Sequence, residues 1–282
     1  MLSKPNPARN LVVVLPDDLA GAIKSGNYYL LDPINFEKSE GVAKSVLRFV
    51  AGDFVAAIPD VIATSNRAVN RIRKYSYGGL DVRIISRTES AGLKFPPGHP
   101  IDEVLYAGHP ALNDVYFTLP SFHKMLFEHK FAEAVDILMH LGATEIKAEF
   151  VRGWSDQVAG NLSVAVPAKE IGAKFKSSKA HGANMVFEAK FEGSGSPSLP
   201  EGLVWYPHES TWQTVAKGRM SFGMKEFSLA VNYEDDFGVN ADLKATAMNV
   251  GLDVGGEMED HEATTWKLHG KFGDPAAAAA AQ

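Results

Sequence analysis

The residues with the right chemistry for a site fall into a few small groups. His208-Glu209 and His261-Glu262 each set an imidazole beside a carboxylate, a donor pair that suits zinc or iron. Adjacent residues on a strand point to opposite faces, so a His and the Glu beside it rarely reach one ion, and no metal or other cofactor is expected. His123 and His129 lie six apart, about 240° around a helix axis, and cannot share a ligand. His99 and His109 each stand in Gly-His-Pro, whose simplest use is turn geometry.

Carboxylates cluster at Glu234, Asp235 and Asp236, and again at Glu257, Glu259 and Asp260. A desolvated member of such a cluster can donate a proton while an ionised neighbour accepts one, the arrangement a hydrolase uses. Both clusters fall between strand candidates, where charged turns are the ordinary expectation. Arg67, Arg71 and Lys74 line one helical face and suit an anionic headgroup or an acidic partner. The same spacing also describes a solvated surface near a helix C-terminus, where the dipole favours cations. No Gly-x-Ser-x-Gly elbow, phosphate loop or dinucleotide fingerprint is present, so catalysis ranks below the non-enzymatic readings.

These groups must be held by a chain of 282 residues, 45% of them apolar, with a net charge of -6. That is ample for a core and gives no general attraction to nucleic acid. The absence of cysteine excludes disulfides, thiolate metal sites and a thiol nucleophile. The first apolar run, Leu11 to Leu15, is too short for a secretory signal, and no stretch approaches a spanning helix, so a cytoplasmic location is expected.

Along the first half, Leu11 to Leu15 reads as a buried strand stopped by Pro16, with Asp17 or Asp18 capping a short helix through Ile23. A short strand over Tyr28 to Leu31, helices from Ser39 and from Asp60 to Lys74, and a strand over Leu80 to Ile85 follow. Helical spacing is cleanest from Ser121 to Leu141, with Gly142 at the left-handed C-cap.

Alternation dominates the second half. Strands are expected at Leu162 to Val166, Ile171 to Phe175, Ala183 to Phe191, Trp212 to Met224, Phe227 to Tyr233, Phe237 to Ala247, Val250 to Val254 and Thr264 to Phe272. From Trp212 the even positions run Trp, Thr, Ala, Gly, Met, Phe, Met, against odd positions that are polar except Val215. The fold class expected is α+β: a helical or mixed N-terminal half, residues 1–144, packed on a long-stranded, mainly antiparallel sheet in residues 145–273 that shares its core. A low-complexity alanine tail, 274–282, closes the chain. The echo of His208-Glu209-Ser210-Thr211-Trp212 in His261-Glu262-Ala263-Thr264-Thr265-Trp266 reads as two strand entries, each with its Trp on the buried face.

In Phe237 to Val254, the residues Val239, Ala241, Leu243, Ala245 and Ala247 face one way, and Val250, Leu252 and Val254 resume after a phase slip at Met248 and Asn249. Such a pattern meets the dimensions of a membrane β-hairpin. The leading expectation is therefore a self-assembling protein, a homo-oligomer that inserts into a membrane when triggered. In outline this arrangement resembles small pore-forming effectors such as bacterial gasdermins. No specific motif carries the comparison, and the lack of an N-terminal cysteine departs from that family's lipid-modified pattern. A half-barrel that carries an apolar ligand, a structural subunit of a phage-like or other ring, and a hydrolase built on the clustered carboxylates are the alternatives.

Overall fold

The computed structural model describes residues 11–25, 80, 82–153, 185–249, 252–257 and 261–273. The chain divides into two compact units, one made of residues 1–122 and 236–260, the other of 123–235 and 261–282. The fold is α+β, as the sequence predicts, with mainly antiparallel pairing.

In the first unit, strand β1 (Leu11–Leu15) is buried along its whole length. Pro16 cannot continue the ladder, and helix α1 (Asp17–Ser25) begins at once with Asp17 and Asp18 in its first turn, where carboxylates complement the exposed N–H groups. Strand β2 (Val82–Ser86) pairs with β1 in parallel, from Leu11 opposite Val82 to Leu15 opposite Ser86. A short helix α2 (Arg87–Ser90) follows behind a complete capping box of Ser86 and Glu89. Strands β3 (Leu105–Gly108) and β4 (Tyr116–Thr118) add antiparallel neighbours, giving the order β2-β1-β3-β4. Val12, Val14, Ile85, Val104, Tyr106 and Tyr116 form the core of this sheet, with Leu93 and Phe95 packed on it.

The second unit is carried by helix α3 (Phe122–His140), close to its expected bounds. Gly142 ends it at φ 84°, and strand β5 (Ala143–Arg152) starts directly afterwards. With β6 (Met185–Lys190), β7 (Glu226–Tyr233) and β8 (Thr264–Phe272) it forms an antiparallel sheet in the order β6-β5-β8-β7. Ile146, Ala148, Leu229, Val231, Trp266 and Leu268 are buried. The α3 side chains Phe127 and Phe131 meet Trp266 edge to face, with ring centroids 5.2 and 5.1 Å away. Burying each such side chain contributes about 1.5–3 kcal/mol.

Two expected strands are helices. Residues Ser210–Phe222 form α4, closed by Gly223 in the left-handed conformation, and Ala241–Asn249 form α5 in the first unit. Residues 145–272 are therefore not one continuous sheet, and Trp212 enters a helix where a strand was expected, although both it and Trp266, on β8, are buried. In α4 the buried residues are Trp212, Val215, Ala216 and Arg219, a three-four stripe that a helix places on one face. Met220 and Phe222, expected inside, are 44% and 77% exposed. The expected strands at 28–31, 162–166 and 171–175 and the helices from Ser39 and Asp60 lie outside the described residues.

Candidate functional site

The segment singled out by alternation begins with two consecutive left-handed residues, Phe237 at φ 48° and Gly238 at φ 72°. Asp236 fixes this corner by accepting the Gly238 N–H at 2.9 Å and the Asn240 side-chain amide at 3.0 Å. Asn240 in turn accepts the Leu243 N–H at 3.2 Å and so caps α5. At the far end the Leu252 N–H returns to the Ala247 carbonyl, and Gly255 and Gly256 both take positive φ.

Of the expected hairpin residues, Val239, Ala247, Leu252 and Val254 are buried, Leu243 is half-buried, and Ala241 and Ala245 are exposed. Val239, Leu243 and Ala247 are four apart and belong to both a strand face and a helix face. Val250 lies outside the described residues, as do Arg67, Arg71 and Lys74.

Of the expected strand 250–254, residues 250 and 251 lie outside the described residues, and Asp253 makes a single bridge to Val104, its carbonyl accepting the Leu105 N–H at 2.8 Å. The carboxylate clusters are put to structural use. Glu234 pairs with Arg152 across the strand ends, Asp236 holds the corner before α5, and Glu257 is exposed. Glu259 and Asp260 lie outside the described residues. Among the described residues no group of three or more His, Asp or Glu side chains is gathered to hold a metal.

In the second unit, α3 carries a network that sequence reasoning missed. The Glu133 carboxylate accepts the backbone N–H groups of Val204, Trp205 and Tyr206, each at 2.8 Å. The Trp205 indole donates to His129 Nδ1 at 3.0 Å, and burial holds the His129 imidazole below its ordinary pKa, partly opposed by Glu133. Lys130, nearly buried, reaches Glu209 at 2.5 Å and the Asn232 carbonyl at 2.7 Å. Its ammonium also lies over the Trp205 ring. The i, i+4 pair His129 and Glu133 was the available signal. The network positions the backbone of the turn before α4 and, through Lys130, ties it to β7.

His123 and His129 serve different partners, as their spacing requires. His123, 4% exposed, lies 2.8 Å from the Tyr233 hydroxyl through Nδ1. His109 accepts the Ala111 and Leu112 N–H groups at 3.1 Å and orders its own turn. No protein-family model matches the chain, and comparisons with curated proteins and with solved structures likewise give no match.

Proposed function

We propose that the protein acts by self-assembly and triggered membrane insertion, with residues 237–254 as a segment whose centre, Ala241–Asn249, is helical at rest and which becomes a β-hairpin on insertion. The observation that carries this reading is that a period-two sequence is held as a nine-residue helix, α5. A helix so short is marginal without tertiary support, and Met248 on it is 58% exposed. Its start is strained as well. A bulky aromatic such as Phe237 at positive φ is a backbone outlier of the kind that costs about 1–3 kcal/mol, and extension of the segment would release it. Gly238 at one end and Gly255-Gly256 at the other supply the backbone freedom that a change of direction needs.

Release of dye from liposomes tests this. Leu243→Asp puts a charge on the lipid-facing register and is expected to abolish leakage, because charge near the bilayer midplane costs several kcal/mol. Lys244→Asp lies on the opposite register, away from the α5 cap and the Asp236 corner, and is expected to leak like wild type. Circular dichroism must first show that Leu243→Asp is folded. Wild type that releases no dye from anionic or neutral vesicles, before and after limited proteolysis, would overturn the proposal and favour a carrier of apolar ligands.

A further inference from the structure

Three side chains of the second unit meet where its segments begin or end. His123 lies in the first turn of α3, Tyr233 is the last residue of β7, and His261 stands shortly before β8. The His123 and His261 ring centroids are 4.7 Å apart, and those of Tyr233 and His261 are 5.7 Å apart. His123 Nδ1 and the Tyr233 hydroxyl are within 2.8 Å. His261 Nε2 is buried and has no hydrogen-bond partner. A buried imidazole nitrogen in that state is costly unless something satisfies it.

We infer that His123, Tyr233 and His261 form a binding site for a divalent transition-metal ion such as zinc. Two imidazole nitrogens are borderline donors, which such ions accept and which magnesium and calcium do not favour, and a phenolate oxygen can complete the set. Three protein ligands also leave a coordination position for water, as in open zinc sites. The orphaned His261 nitrogen becomes a ligand, and the short contact between His123 Nδ1 and the Tyr233 hydroxyl becomes two donors to one ion. The phenol proton leaves to solvent as the metal enters, so affinity rises with pH. Residues 123–235 and 261–282 make up this unit, so an ion here fastens the start of one stretch, its end and the start of the other.

The test is titration of the untagged full chain with zinc chloride by calorimetry, together with thermal melting with and without zinc. One ion per chain and a higher melting temperature are expected. His261→Gln should weaken binding at least tenfold and remove the thermal shift. Tyr233→Phe keeps the ring packing, guards against misfolding as an explanation, and should weaken binding and reduce the number of protons released. Cobalt in place of zinc should give visible absorption that both variants alter. Absence of binding in wild type, or equal affinity in wild type and both folded variants, would overturn the site and assign any binding to surface histidines.

Discussion

At the scale of single residues, the second unit depends on a few side chains whose chemistry is fixed by burial. The Arg219 guanidinium, 3% exposed, donates to the carbonyls of Leu141, Met224 and Gly273 at 3.0, 3.1 and 2.7 Å. It thereby ties the ends of α3, α4 and β8 together. Arg219→Met should lower stability by about 2–4 kcal/mol in urea denaturation, because three carbonyls lose a charged donor. Gly270 answers to sterics instead. A methyl group there would come within 1.8 Å of the Glu145 carbonyl oxygen, so Gly270→Ala should cost about 3 kcal/mol or more by forcing β5 and β8 apart. His129 makes stability depend on pH. Its folded pKa lies below the unfolded value of 6.5, so its contribution is fully present above pH 6.5 and is lost as pH falls through the folded value. Melts between pH 8 and 5 should show a drop in stability below pH 6.5 that His129→Gln diminishes.

At the scale of elements, packing decides what the local pattern leaves open. Leu138, fully buried on α3, should cost about 2–5 kcal/mol when changed to Ala. A loss under about 0.5 kcal/mol would show that α3 does not anchor the core. β1, α1, α3, β7 and β8 were legible in the sequence, because each shows one period and clear punctuation such as Pro16 or Gly142. α4 and α5 were not, and the reason lies in arithmetic. Trp212, Ala216 and Met220, like Val239, Leu243 and Ala247, are four apart, and every fourth position is also an even step along a strand. The deciding residues were those that broke the alternation. Val215 and Arg219 belong to the wet face of a strand but complete the buried stripe of a helix with Trp212 and Ala216. Asn240 as a cap and Gly223 as a left-handed stop point the same way. The meeting of His123 with Tyr233, 110 residues apart, leaves no trace in local sequence because it is set by how β7 ends against α3.

For the whole molecule, the chain leaves the second unit after residue 235 and returns at 261. It returns with the strand that sits between β5 and β7 in the sheet. Truncation after Asp260 should therefore abolish cooperative unfolding of this unit, which hydrogen exchange would register as lost protection in β5 and β7. The same order has a consequence in time. On a ribosome adding roughly 5–20 residues per second, β5 is made some ten seconds before the partner that will cover its edge. Through that interval an unpaired strand is an invitation to any other nascent chain. Glu145, Lys147 and Glu149, spaced along β5 and bound to one another or to neighbouring strands in the finished sheet, are the gatekeepers that keep the waiting strand from the wrong companion.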